Sequence, residues 1–164
     1  MIKSNKDNIF DQNSIPVDVI QHWKEKGQKI VFTNGCFDLL HRGHIQYLAE
    51  AAALGDKLIV GLNSDSSVRL IKGAERPIKD QLNRSAILAA LKMVDMVILF
   101  DEASPLGIIK KILPDVLVKG GDWPAEQIVG YDVVIKNKGL VKTLSFIEGE
   151  STSRIIEKIR NIKS

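Results

Sequence analysis

Short, uninterrupted apolar runs recur along this chain, each separated from the next by an amphipathic stretch, and that alternation admits few folds. The runs are Ile30-Val31-Phe32, Leu58-Ile59-Val60-Gly61-Leu62, Met96-Val97-Ile98-Leu99-Phe100, Val116-Leu117-Val118 and Leu140-Val141-Lys142-Thr143-Leu144. A strand with one face in water alternates apolar and polar residues, whereas a strand that is apolar throughout is covered on both faces. Between the runs, Ile45, Leu48, Ala49 and Ala52 fit the i, i+3, i+4, i+7 spacing of a helix, as do Ile87, Ala90, Leu91 and Val94. Pro105 opens a third helix carrying Ile109, Ile112 and Leu113, which Pro114 ends, and Ile155, Ile156 and Ile159 lie on a last one. The pattern predicts an α/β fold: a Rossmann-like, doubly wound, parallel five-stranded sheet with helices on both faces. Residues 1–14 are polar and aperiodic and read as a loose tail, after which Pro16 opens a helix with Val19, Ile20 and Trp23 that Gly27 closes. The expected division is a tail and helix over 1–27 and one domain over 28–164. The apolar face around Ile20 and Trp23 packs either on that domain or on a second subunit, which leaves room for a homodimer.

At 164 residues, 45% apolar and 26% charged, the chain is long enough for one well-filled core and short for two. No apolar run approaches the roughly 18 residues of a membrane span, and the start, Met1-Ile2-Lys3-Ser4-Asn5-Lys6-Asp7-Asn8, lacks the apolar stretch of a secretory signal. The single cysteine, Cys36, excludes an intramolecular disulfide and a cysteine-based zinc site. A net charge of +3 dispersed among alternating signs is unlike the concentrated basic face that meets nucleic acid. The expectation is a cytoplasmic domain handling small molecules, anionic ones among them, with neither nucleic acid nor membrane as partner.

In open parallel sheets ligands bind beyond the carboxyl ends of the strands, so the residues that follow each run carry the functional argument. After the first run comes Thr33-Asn34-Gly35-Cys36-Phe37-Asp38-Leu39-Leu40-His41-Arg42-Gly43-His44, with a helix starting near Gly43. His41 and His44, three apart at a helix's first turn, point the same way beside free backbone N–H groups and the positive end of the helix dipole. Gly43 between them lets a ligand approach the backbone. Each imidazole can donate an N–H to a phosphate oxygen, which makes the turn an anion-binding cup. The plain alternative is one packed and one solvated histidine, and a metal pair lacks a nearby cysteine or third histidine.

The later junctions carry polar groups with two readings each. Asn63-Ser64-Asp65-Ser66 suits helix capping or contacts to sugar hydroxyls. Lys72-Gly73 and Arg76-Pro77 form a basic stretch that either folds over a phosphate or serves as a solvated linker. Arg84 is a surface charge or a phosphate ligand. In Lys119-Gly120-Gly121-Asp122-Trp123 the glycine doublet offers a flat backbone on which a base or ribose can rest; Asp122 suits the ribose or a magnesium shell, and Trp123 suits packing. Glu148-Gly149-Glu150-Ser151-Thr152-Ser153 leads into the last helix, where the Ser151 and Thr152 hydroxyls make a cap or a second anion site.

The stretch Gly35 to His44 resembles the His-x-Gly-His signature of the cytidylyltransferase-like nucleotidyltransferases, and the likeness extends over about residues 28–162. Phe32-Thr33-Asn34-Gly35-Cys36-Phe37-Asp38, Gly61-Leu62-Asn63-Ser64-Asp65 and Val118-Lys119-Gly120-Gly121-Asp122 are most similar to the D-glycero-β-D-manno-heptose 1-phosphate adenylyltransferases, which make ADP-heptose for lipopolysaccharide and other surface glycans. The resemblance implies that the 28–164 unit is a nucleotidyltransferase domain moving AMP from ATP to a sugar 1-phosphate with Mg²⁺ as cofactor. It implies catalytic roles for His41, His44 and Lys72, and nucleotide contacts from Asn34, Gly35, Cys36, Phe37, Gly43, Arg84, Lys119, Gly120, Gly121, Asp122, Ser151 and Thr152. It places Asp38, Asn63 and Asp65 against the sugar phosphate, and it names no protein ligand for the magnesium, which the phosphates mainly hold. The family's Glu-Gly-x-Ser-Thr-Thr motif is matched except at Ser153, and Phe146 stands where glycerol-phosphate cytidylyltransferases carry an arginine. No kinase-sized segment precedes the domain, so a separate heptose kinase is the expected companion. The competing readings are a cytidylyltransferase acting on glycerol 3-phosphate or a similar small phosphate, and a non-catalytic nucleotide-binding module.

Overall fold

Ile30 and Phe32 face one side of the central sheet and Val31 the other, and all three are fully buried. This two-sided burial is what the uninterrupted apolar runs require. The computed structural model describes residues 8–147 and 149–162. Its strands are β1 (Ile9–Asp11), β2 (Ile30–Gly35), β3 (Lys57–Asn63), β4 (Met96–Phe100), β5 (Val116–Gly120) and β6 (Leu140–Leu144). The helices are α1 (Val17–Glu25), α2 (Arg42–Ala52), α3 (Asp65–Lys72), α4 (Gln81–Ala89), α5 (Leu106–Ile112), α6 (Tyr131–Lys136) and α7 (Thr152–Arg160). Helices α1, α5 and α6 pack on the side of Ile30, Phe32, Ile59 and Ile98, while α2 and α4 cover Val31, Val60 and Val97.

The sheet is parallel throughout in the order β1-β4-β3-β2-β5-β6, so it has six strands and not five. The added strand lies in the segment expected to be a loose tail: Ile9, Phe10 and Asp11 pair with Val97, Ile98 and Leu99 of β4. Three residues are too few to show a period, and only the neighbouring edge gives them their conformation. The rest of that expected tail, residues 1–7, lies outside the described residues. Helix α1 follows directly, and its apolar face packs on this same domain: Ile20 is buried and Trp23 packs beside it, in a cluster with Ile108, Ile109 and Ile112 of α5. Lys24 Nζ donates to the carbonyls of Ile112 and Leu113 at 2.7 and 2.6 Å, closing the C-terminal end of α5. Helix α4 stops at Ala89, short of the Leu91 and Val94 that its spacing suggested, because those two pack from the turns leading to β4.

After β2 the chain runs outward through β3 to β4, then returns to the other side of β2 for β5 and β6. The strand order therefore reverses between β2 and β5, and the helices leaving these neighbours go opposite ways and open a crevice beyond their carboxyl ends. Gly35 and Gly120, the last residues of β2 and β5, form its floor. Inside the sheet, the position of Gly61 is fixed by packing: a Cβ there would lie 2.8 Å from Cζ of the buried Phe32. Gly61→Ala is expected to reduce stability by about 1–3 kcal/mol, read as a lower urea midpoint with an unchanged slope.

Candidate active site

The turn from β2 into α2 is set by side chain to backbone bonds. His41 is the N-cap of α2, and its Nδ1 accepts a hydrogen bond from the N–H of Gly43 at 3.1 Å. The neutral ring then keeps its proton on Nε2. The His44 ring lies over it with centroids 3.9 Å apart and planes inclined by 33°, and Phe37 packs on His44 at 5.5 Å. Nδ1 of His44 is buried and has no partner among the described residues. Burial and the charge His41 can carry push the His44 ring down to about 4 against the opposing field of Asp38, so His44 is neutral at neutral pH. A Cβ on residue 43 would sit 2.9 Å from Cε1 of His41 and 3.1 Å from Cβ of Glu150. Gly43 thus makes room for the folded-back histidine ring while lining the cavity itself.

Beyond these rings lies a cavity of about 730 Å³, a size suited to a nucleotide-sized ligand. Of the residues singled out in the sequence, Asn34, Gly35, Cys36, Phe37, Asp38, His41, Gly43, His44, Asn63, Lys72, Lys119, Gly120, Ser151 and Thr152 line it. The N-terminal ends of α2 and α7 both open into it. Lys72 ends α3, not a loop, and Lys119 enters from β5. Burial holds the Lys119 ammonium below its ordinary range; Cys36 opposes it, and the field of Lys72 adds to the lowering. Burial pushes the Cys36 thiol up, although Lys72, Arg84, Arg76 and Lys119 all pull it down. Neither Lys72 nor Lys119 has a carboxylate ion-pair partner among the described residues, so with Arg76 the cations on the cavity lining outnumber the carboxylates Asp38 and Glu150.

Arg84, Asp65, Gly121 and Asp122 are not among the lining residues. Arg84, expected at the phosphates, is 1% exposed and fully engaged in the protein. It donates from Nε to the carbonyl of Lys79 at 2.9 Å, from Nη1 to the carbonyls of Cys36 and Asn63 at 2.7 and 2.8 Å, and from Nη2 to Oδ1 of Asp65 at 2.7 Å. Asp65 thereby gives Oδ1 to Arg84 and stands off the cavity lining. Next to it, Ser64 caps α3 by accepting from the N–H of Ser67 at 3.2 Å, so capping accounts for that residue. Asn63 donates from Nδ2 to Oγ of Ser67 at 2.9 Å.

Asp38 is buried and accepts from Nε of Arg76 and the N–H groups of Ile78 and Lys79 at 2.8–3.0 Å. Burial alone would raise its pKa; those two N–H groups and Arg76 outweigh it and hold the carboxyl below its usual range. Its main role is to fasten the 73–80 stretch over the β2–α2 turn. The Thr152 hydroxyl donates to the carbonyl of Asp38 at 2.6 Å, so it has no proton left for a phosphate. Ser151 Oγ accepts from the N–H of Arg154 at 3.2 Å and keeps its own proton to donate. Glu148, in the same motif, lies outside the described residues.

Sequence reasoning did not foresee the aromatic wall. Trp123 was expected to pack but is 57% exposed along the cavity, and Phe146 is 67% exposed across from it. The Phe146 ring lies so close to Gly120 that a Cβ there would be 2.5 Å from it. Tyr47 Oη, buried and bonded to Thr33 Oγ1 at 2.6 Å, is pushed up to about 12 by its burial. Tyr47 follows His44 by one helical turn, and this spacing is the one signal that could have placed it in the site. Among the described residues no three His, Cys, Asp or Glu side chains converge as a metal cage. No described helix is long and apolar enough to cross a membrane.

A parallel sheet with a cationic crevice at its switch point, entered through a His-x-Gly-His turn, defines a class of nucleotide-handling proteins. Residues 32–158 match the cytidylyltransferase-like family, and the chain belongs to it. It is 50% identical over 156 residues to the bifunctional protein HldE of Wolinella succinogenes, covering 95% of this chain and 32% of that protein. To the bifunctional protein HldE of Actinobacillus succinogenes it is 54% identical over 155 residues, covering 94% and 32%. The chain therefore spans about a third of the length of these curated relatives. Among solved structures it is similar to a lipopolysaccharide core biosynthesis protein from Thermoplasma volcanium, with a TM-score of 0.60 and 32% sequence identity over 76% of this chain and 100% of that one.

Two predictions follow from these contacts. The His44 ring is expected to stay neutral down to about pH 4, read from its imidazole ¹⁵N shifts. Because the unfolded chain takes up that proton near 6.5 and the folded chain near 4, stability falls as pH drops between those values. His44→Gln should flatten that slope, and titration of the folded ring near 6.5 would refute the assignment. Replacing Arg84 with Met leaves Asp65 and three carbonyls without their donor, with an expected loss of about 3 kcal/mol in chemical denaturation. A normal denaturation midpoint with weakened ATP binding would instead make Arg84 a ligand residue.

Proposed function

We propose that this chain is an adenylyltransferase that transfers AMP from ATP to a sugar 1-phosphate, D-glycero-β-D-manno-heptose 1-phosphate, releasing pyrophosphate and giving ADP-heptose. The observation that carries the reading is the stacked His41 and His44 pair at the tip of α2, facing a cavity with Lys72, Arg76 and Lys119 on its walls. The identity to the HldE proteins supports the choice of sugar, and Phe146, in place of an arginine, counts against cytidylyl transfer to glycerol phosphate.

The sugar phosphate oxygen is already anionic at neutral pH, so its attack on the α-phosphorus needs no general base. Catalysis then consists of holding the two reactants in line and stabilising charge on the equatorial and leaving oxygens. In this reading, His41 presents its Nε2 proton and neutral His44 donates from the ring nitrogen that bears its proton. Lys72 and Lys119 draw the polyphosphate in as point charges. Ser151 donates its free proton to the tail beside the tip of α7. Asp38 holds the loop bearing Arg76 in place, and the aromatic Trp123 and Phe146 flank the glycine floor on which the base rests. Bound Mg²⁺ would neutralise phosphate charge. With Asp38 already bonded to Arg76 and two N–H groups, this donor set fits an ion carried mainly by phosphates and water.

The purified chain, given ATP or CTP with a panel of sugar 1-phosphates and glycerol 3-phosphate, is expected to release pyrophosphate with ATP and the heptose alone. His44→Ala should lower that turnover by on the order of 10²–10³ without altering the thermal midpoint. Turnover with CTP and glycerol 3-phosphate would move the assignment to a cytidylyltransferase, and nucleotide binding without turnover to a sensing module.

A further inference from the structure

We propose that Glu150 is a positioning residue that turns His41 from a hydrogen-bond acceptor into a donor at both ring nitrogens when polyphosphate enters. The inference rests on the reading above, that the cavity holds a nucleoside triphosphate. Glu150 occupies the variable position of the Glu-Gly-x-Ser-Thr-Thr pattern, so the resemblance assigns it nothing.

In the structure Nδ1 of His41 accepts the N–H of Gly43 at 3.1 Å, and that bond keeps the N–H from any anion at the site. Oε2 of Glu150 lies 3.8 Å from the same Nδ1. That separation is too long for a hydrogen bond, and Nδ1 has no proton to offer while it accepts from Gly43. The bare Cα of Gly43 lets the Glu150 side chain lie this near, since a Cβ there would press on Cβ of Glu150 at 3.1 Å. A carboxylate lining a polyphosphate cavity is repelled by the ligand unless a proton stands between them. His41 is the group placed to hold it.

The charged and titratable groups facing His41 fix where that proton goes. His44, stacked at 3.9 Å, is kept neutral by its burial, and two rings so close do not both ionise. Asp38 is tied to Arg76 and two N–H groups. Lys72, Arg76 and Lys119 line the same cavity and oppose a further cation until a polyphosphate neutralises them. Once it does, a phosphate oxygen competes for the Gly43 N–H, Nδ1 takes a proton from water, and that proton is donated to Glu150. His41 then presents Nε2–H to phosphate and Nδ1–H to Glu150, while the helix N–H is released to the ligand. No bond to phosphorus is made or broken in this step.

The test uses the full chain with ¹⁵N-labelled histidine and the non-hydrolysable analogue α,β-methylene-ATP at pH 8. On adding the analogue, the His41 Nδ1 signal should move from the acceptor to the protonated position in the wild type and stay in place in Glu150→Gln. The same variant should keep KM for ATP within about twofold and shift the basic limb of kcat down by about one pH unit, equivalent to about tenfold in kcat on that limb. Glu150→Asp should recover part of both effects. A purely structural Glu150 would leave the pH limb and the Nδ1 response unchanged. If the analogue binds the wild type and Nδ1 remains unprotonated, this inference is lost and the proposed function stands; if the analogue does not bind at all, both are lost.

Discussion

The guanidinium of Arg84 sits where three pieces of chain converge, and the geometry of the crevice depends on it. It gathers the carbonyls of Cys36 and Asn63, which lie just past the ends of two adjacent strands, together with Lys79 and the Asp65 carboxylate at the start of α3. Loops beyond the carboxyl ends of strands are the least constrained parts of an α/β sheet. A rigid planar fork with five donors can hold several acceptors at fixed angles, whereas a lysine ammonium cannot. The buried charge is tolerated because a carboxylate and three carbonyl dipoles surround it.

Asp38 extends the same network by one tier. Its carboxylate holds the 73–80 stretch, and its carbonyl receives the hydroxyl of Thr152, so the β2–α2 turn is linked to both the basic loop and the tip of α7. The electrostatics follow from this division of labour. Asp65 pairs with Arg84 and Asp38 with Arg76, which leaves Lys72 and Lys119 facing the cavity with no ion-pair partner among the described residues, while the Glu150 carboxylate on the same lining stands beside His41. Positive charge confined between low-dielectric walls attracts a polyphosphate more strongly than the overall charge of +3 would suggest.

The sheet was legible in the sequence because burial on both faces writes itself as apolar runs, and β4 and β6 match their predicted limits. The edge strand β1 was not, because three residues paired on one side carry no period of their own. In the site, position after a strand or at a helix tip pointed to the places of His41, His44 and Ser151, which line one cavity, while Lys72, expected in a loop, reaches it from the end of α3. Arg84 and Asp65 were misread for a physical reason. A charged residue in the first turn of a helix is ordinarily solvated or ligand-facing, and only the three-dimensional convergence of Cys36, Asn63 and Lys79 makes a buried charge affordable there. Trp123 departs in the opposite direction: expected to pack, it is largely exposed along the cavity, and its sequence neighbours carry no sign of that.

Glycine in this site reports on side chains of the protein before it reports on ligands. Phe37 and Leu39 adopt φ of 45° and 48°, in the left-handed region that side-chain-bearing residues avoid. Each such residue stores on the order of 1–3 kcal/mol and persists only where its surroundings over-determine it. Asp38, between them, supplies that determination through its three accepted hydrogen bonds and the Thr152 contact. The strained turn in turn folds His41 back over the first turn of α2, where its Nδ1 meets the Gly43 N–H and leaves no room for a Cβ. The glycine of the His-x-Gly-His spacing therefore also serves packing: it leaves room for the His41 ring that stacks on His44 at 3.9 Å, where a Cβ would press on it at 2.9 Å.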